Sequence, residues 1–407
     1  MSLNREYPTA IKRNSLREIC RRHYLLIAIK SNPLRGILRR SFLLIILASY
    51  LAPLSLHAQD TNRIILRVGG QHFFFDDEYF GRRIEGYTLP GFRLTPKIIW
   101  EIGNRLTLQG GASWLHYWGA HSYPAIMSYG VLPDHSDTAT MMHVVPWMQA
   151  TLKLAKGLEL TFGSLDATSH YLPMPLYNIE RECAADPEQG LQLTAWGDWG
   201  HVDAWVDWRE FIWNNSPRQE RLTMGASGEL LIGSGDWTFG VPIHFIAQHV
   251  GGQVLATTTP IQNNFNAASG LIIRRDWDNW AAVVRCRAMW YHQHGNPTVP
   301  FTQGWGLYPE LEICRGINAG LILSYWQGDH FVPLMGSWVY SSLSSVDYIT
   351  VFDRTQILSL RAIYKWTPKQ MPFCLHLEGA GHYDIGERQT QFSVCGVLSF
   401  YPSIRLR

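Results

Sequence analysis

The sequence predicts an all-β chain, a transmembrane antiparallel up-and-down β-barrel of about sixteen strands. Three observations predict it. Segments of alternating apolar and polar residues are broken by tight turns at Gly103-Asn104, Lys156-Gly157, Gly200, Gly233 to Gly235, Trp277-Asp278, Arg315-Gly316 and Trp366 to Gln370. The connections alternate short and long, as in a barrel with turns on one side of a membrane and loops on the other. Beyond residue 58 no stretch approaches twenty consecutive apolar residues, although 46% of the chain is hydrophobic. Spanning by helices is therefore excluded, and spanning by strands is not.

The first element is a leader. Residues 1–58 carry ten Lys and Arg against two Glu, leaving 25 basic and 31 acidic side chains in the remainder. The formal charge of +2 thus belongs to the leader, and no nucleic-acid partner is expected. Arg39-Arg40, the apolar run from Phe42 to Leu56 and the small residue Ala58 read as a signal peptide cut after Ala58. That run is too short to anchor comfortably in about 30 Å of hydrocarbon, and Pro53 interrupts it. The expected organisation is a leader over 1–58 and a single barrel domain over 59–407. Past the cut stand five cysteines (Cys183, Cys286, Cys314, Cys374 and Cys395), an odd number with no C-x-x-C pair. Neither a disulfide framework nor a zinc site is expected from that spacing.

The strands pair across tight turns as 91–102 with 105–118, 142–155 with 158–165, 189–199 with 201–213, and 219–233 with 236–250. The series continues with 265–276 and 279–292, 303–315 and 317–329, then 354–366 and 371–384. Segments 63–75 and 390–402 are left over, and pairing them with each other closes the sheet.

Period 2 separates the faces. His201, Asp203, Trp205, Asp207 and Arg209 alternate with Val202, Ala204, Val206 and Trp208. A charge facing hydrocarbon costs about 2–4 kcal/mol at the midplane, so the charged set must line the lumen. The same test turns Arg285, Arg287, Glu310, Glu312, Arg361 and Lys365 inward. Tryptophans on the opposite parity fall at two heights: Trp100, Trp237, Trp280 and Trp366 near the turns, Trp114 and Trp290 near the loops. Two such belts are what a bilayer's interfaces select.

On these residues the chain resembles the general porins and related channels of the Gram-negative outer membrane, and more loosely the uncharacterised barrels of Bacteroides-like bacteria. The likeness is architectural and covers residues 63 to 402. It implies location in the outer membrane among lipid and lipopolysaccharide, with insertion by the barrel-assembly machinery. In that family the third outer loop often folds inward and narrows the pore. Here the third loop is 166–188, with Glu180, Arg181, Glu182 and Asp186 as constriction candidates. The chain departs from the pattern at its end, Ile404-Arg405-Leu406-Arg407, where a terminal aromatic is usual.

The expected function is a porin-like channel for passive diffusion of small polar solutes, without catalytic residues, cofactor or metal. Opposed basic and acidic walls would set its selectivity, or would merely pair across strands. Inward Trp147, Trp196, Trp205 and Trp326 suit stacking on saccharides, and can equally fill space. Two other readings stay open: a closed barrel that binds through its outer loops, and a hydrolase at the rim. For the hydrolase, Asp166, Ser169 and His170 are the acid, hydroxyl and imidazole that lie together in sequence. His292 and His294 share a strand face, but no third metal ligand accompanies them.

Overall fold

Each of the sixteen long strands described is hydrogen-bonded to a neighbour on both sides, as a segment crossing hydrocarbon requires. The computed structural model describes residues 62–119, 142–166, 168–215, 219–252, 260–369 and 371–406. The signal and leader reading and most of the second outer loop lie outside the described residues. In order, the strands are β1 (Arg63–Glu78), β2 (Thr88–Ile102), β3 (Leu106–Tyr117), β4 (Met142–Ala155), β5 (Leu158–Ser164), β6 (Gln189–Gly197), β7 (Gly200–Glu210) and β8 (Glu220–Ser234). They continue with β9 (Trp237–Gly251), β10 (Gln262–Trp277), β11 (Trp280–His294), β12 (Gln303–Arg315), β13 (Ala319–Asp329), β14 (Arg354–Trp366), β15 (Phe373–Asp384) and β16 (Gln389–Phe400). A short β17 (Ser403–Arg405) carries β16 onward past Pro402.

All pairings are antiparallel between sequence neighbours, and the sheet closes where β1 meets β16 in the register Gly70↔Phe400 to Glu78↔Phe392. β17 extends the seam, with Ile65 opposite Arg405. The two leftover segments therefore seal the barrel as the alternation predicts. The turns fall at the expected breaks, and several need a left-handed residue. At Gly157, with φ of 73°, an added Cβ would lie 2.2 Å from the Trp196 carbonyl oxygen. Among the described residues no helix is long and apolar enough to cross a membrane.

Burial follows the predicted parity. His201, Asp203, Trp205 and Asp207 are buried while Val202 and Trp208 are exposed. Arg287 and Arg361 are buried; Val284, Trp290, Leu358 and Leu360 face out. The turn-side tryptophans Trp100, Trp237, Trp280 and Trp366 stand exposed on the outer face, as does Trp290 near the loops. An outward apolar surface with aromatic belts is that of a barrel immersed in lipid.

The lumen on the loop side is a packed core. Segment 330–353, between β13 and β14, and the third loop 166–188 turn inward, and Leu165, Leu176, Phe331, Val332, Tyr340 and Leu343 are fully buried there with Tyr308 and Trp326 of the wall. Asn266 holds this plug from both sides: its side chain donates to the Val332 carbonyl at 3.0 Å and accepts the Leu334 amide at 2.9 Å. Gln248 adds a bond to the Leu334 carbonyl at 3.2 Å. The two inward segments are also joined, the Asn178 amide donating to the Met335 carbonyl at 2.8 Å. Buried carbonyls in an irregular loop need such partners, and inward Asn and Gln supply them.

The face assignment is testable at Leu271, which lies outward near the middle of β10. Leu271→Arg is expected to lower stability by about 2–4 kcal/mol, as for a charge placed on the lipid side near the midplane. Denaturant titration of the protein folded into vesicles measures it.

Candidate functional site in the plugged lumen

Three polar clusters meet the plug. The first centres on His170, which the third loop carries to the lumen wall in a left-handed conformation, φ 49°. Its Nδ1 lies 3.0 Å from Asp203 of β7 and its Nε2 2.9 Å from Glu188, while the ring stacks on Trp205 at 3.8 Å and 7°. Trp205 has room because Gly225 stands opposite it; a Cβ there would fall 2.4 Å from the indole. Gln192 donates to the Asp203 carboxylate at 3.0 Å, and Ser227 donates to the His170 carbonyl. Burial works against a charged imidazole, yet Glu188 and Asp203 outweigh it and hold its pKa up to about 10. His170 is thus a cation clamped between two anions, which fixes the loop to the wall and removes the ring from service as a neutral-pH base.

The second cluster lies where loop 79–87 meets the third loop. Tyr87 donates to Glu180 at 2.6 Å. Burial, reinforced by the charge of Asp77, pushes Glu180 up to about 8 against the opposing Tyr87 bond and Arg181, so it is a neutral acid at pH 7. Around it a cavity of about 50 Å³ is lined by Asp77, Tyr79, Tyr87, Arg181, Met335 and Ser345, among others.

The third cluster is on the β14–β15 wall. Ser359 and His382 hydrogen-bond at 2.8 Å. Beside them Arg361 pairs with Glu378 at 2.7 Å, and Arg83, reaching in from loop 79–87, pairs with Asp384 at 2.7 Å.

The remaining candidates lie along the barrel wall and in the third loop. Arg285 pairs with Glu312 at 2.6 Å, Arg287 with Glu310 and Arg209 with Asp207, all across or along neighbouring strands. Lys365 points inward near the turn side, half-buried. In the third loop a short helix α1 (Arg181–Ala184) buries Arg181, whose guanidinium stands 5.7 Å over the Tyr177 ring. Glu182 gives its carbonyl to Arg93 at 3.4 Å, and Asp186 is half-buried at the loop's return. Asp166, Ser169 and His170 do not assemble as a triad, because Asp166 is taken by Lys97 at 3.1 Å and both nitrogens of His170 by carboxylates. His292 and His294 face outward, away from the lumen.

Sequence reasoning missed Asn266, Arg83, Tyr79, Ser359 and His382. Parity places Ser359 and His382 inward, but only strand register makes them neighbours.

The fold and this interior define the class: an outer-membrane β-barrel of sixteen long antiparallel strands with a packed plug across its loop-side lumen. Residues 56–407 match the model described as lipid A 3'-O-deacylase-type, and the chain belongs to that family. The expectation of a non-catalytic barrel is corrected by this match, since the family is named for an enzyme activity. Composition and alternation report the membrane and are blind to catalytic chemistry. No curated protein matches the chain. Similar solved structures include Pseudomonas aeruginosa OpdK with vanillate, at 10% identity, covering 84% of this chain and 99% of that one with a TM-score of 0.46. A BenF-like porin from Pseudomonas fluorescens is also 10% identical, covering 85% and 99% with a TM-score of 0.46. Acinetobacter baumannii OccAB4 is 8% identical, covering 86% and 100% with a TM-score of 0.47.

Removing the His170 ring would leave two buried carboxylates facing each other. His170→Ala is expected to cost about 3–5 kcal/mol, as when one partner of a buried pair is deleted, measured by denaturant unfolding. The folded pKa of about 10 stands above the free value of 6.5. The clamp therefore stabilises fully below pH 6.5 and loses its contribution as pH climbs towards 10. Hydrogen exchange of residues 168–188 is expected to quicken across that window.

Proposed function

We propose that this chain is an outer-membrane ester hydrolase that removes an ester-linked acyl chain from lipid A or a lipid of similar build. The observation that carries the reading is the family match across the whole barrel, residues 56–407. The interior supports it. A deacylase needs a hydroxyl or water nucleophile, a base and donors for a developing oxyanion, held where bulk water is excluded. The plugged lumen buries a neutral acid at Glu180 beside a small cavity and, on the β14–β15 wall, a serine–histidine contact at Ser359 and His382. Outer-leaflet lipopolysaccharide would then be both surroundings and substrate, and the barrel-assembly machinery the route into the membrane.

A second reading, selective passage of small polar solutes, is favoured by one observation. The inward pairs Arg285–Glu312 and Arg287–Glu310 line the wall with charge of both signs. Such a lining suits polar solutes, saccharides included, but passage requires the plug to withdraw.

Two measurements separate the readings. Protein folded into vesicles containing lipid A is expected to release free fatty acid, detected by mass spectrometry; intact lipid after prolonged incubation would exclude the hydrolase. In planar bilayers the parent is expected to conduct weakly. Excision of 333–345, the plug's buried span, is expected to raise conductance several-fold.

A further inference from the structure

We propose that the turn-side outer wall of β9 to β12 binds the phosphate headgroup of an anionic glycerophospholipid, through Arg275 and Arg315 set among Trp237, Trp277 and Trp280. The site lies on the opposite face of the wall from the plugged lumen and does not depend on the deacylase reading. Period 2 puts its residues on the lipid side. Arg275 shares the outward parity of Leu271, Ile273 and Trp277 in β10, and Arg315 that of Leu311 and Ile313 in β12. All of these side chains are exposed.

Strand register gathers the group. Arg275 lies directly opposite Trp237 of β9, and its guanidinium stands 5.3 Å from the centre of that ring. Trp280 lies between Trp277 and Arg315, with the Arg315 guanidinium 5.7 Å from its ring centre. On β11 the residue facing Arg275 is Ala282, so the wall between the two arginine-bearing strands is low at that level. Two strand spacings separate β10 from β12, about 10 Å. Two arginine side chains can close on one phosphodiester across that width, each offering a planar fork to its oxygens.

The protein leaves these two charges unmatched. Neither guanidinium makes an ion pair or a side-chain hydrogen bond among the described residues. Their inward neighbours differ: Arg274 is held by Asp276 at 2.7 Å, and Arg285 by Glu312 at 2.6 Å. Asp276 and Glu312 have the lumen parity, so neither serves an outward arginine.

Charge complementarity names the occupant. A tryptophan belt marks the headgroup level of a bilayer, and there the anion available to an outward arginine is a lipid phosphate. Contact with the indole rings holds each guanidinium in place by cation–π attraction, which reduces the ordering that binding would otherwise cost. Towards the membrane centre the same wall presents Phe239, Ile273, Val284 and Leu311 in one register row, an apolar track for the acyl chains. Tight turns of bacterial barrels face the periplasm. The lipid is therefore a glycerophospholipid of the periplasmic leaflet, on the other side of the membrane from lipopolysaccharide.

The test uses the full chain in detergent, with folding verified by heat-modifiable gel mobility and bound lipid counted by native mass spectrometry. The parent is expected to bind phosphatidylglycerol at least about fivefold more tightly than zwitterionic phosphatidylcholine, and less tightly as salt rises. Arg275→Gln and Arg315→Gln are each expected to weaken phosphatidylglycerol binding about fivefold, and the double variant about thirtyfold. Arg354→Gln, which removes an exposed charge at the loop-side end of β14, is expected to leave binding unchanged. Equal affinity of the parent for the two lipids overturns the proposal, and that measurement needs no variant to fold. A double variant that binds as the parent does overturns it too, as does an Arg354→Gln loss equal to that of either site variant.

Discussion

Hydrocarbon offers nothing to a backbone amide, and the whole structure follows from that constraint. A chain with no long apolar run must satisfy its peptide groups sideways, strand to strand, and an open sheet would leave two unpaired edges in lipid. The β1–β16 seam removes them, and β17 lengthens it after Pro402 interrupts the ladder. Once the sheet is closed, period 2 divides every strand into a lipid side and a lumen side, and charged residues deep in the hydrocarbon span must take the lumen.

The interior then faces a second problem, because many inward charges share a confined space. They are settled locally: Arg285 with Glu312, Arg361 with Glu378, Arg83 with Asp384. Over them the chain lays a hydrophobic plug, tied by Gln248 and Asn266 to β9 and β10 and, through the third loop, by His170 to β7. A barrel built only for free diffusion has little use for fully buried Phe331, Val332 and Leu343 across its loop-side lumen. A barrel that must exclude water from an ester has every use for them.

Much of this was legible in the residues. The tight breaks, the alternation through 201–209 and the two tryptophan heights led to the strand order, the faces and the closing pair. The expectation that the third loop turns inward came from the resemblance to porins. Its particular contacts were not legible. Asp166, Ser169 and His170 are neighbours in sequence, yet in space they serve Lys97, Glu188 and Asp203. Segment 330–353 reads as one more outer loop, because its buried residues carry no period.

What the sequence by itself determined is the membrane-spanning barrel and the sidedness of its strands. Those depend on composition at every second position and on turn residues, which are local properties. The tertiary structure decided the plug, the histidine clamp and the meeting of Ser359 with His382. These depend on register and on loops packing far from where they begin in sequence. A hydrogen bond between residues 23 positions apart exists only once the ladder between their strands has been set.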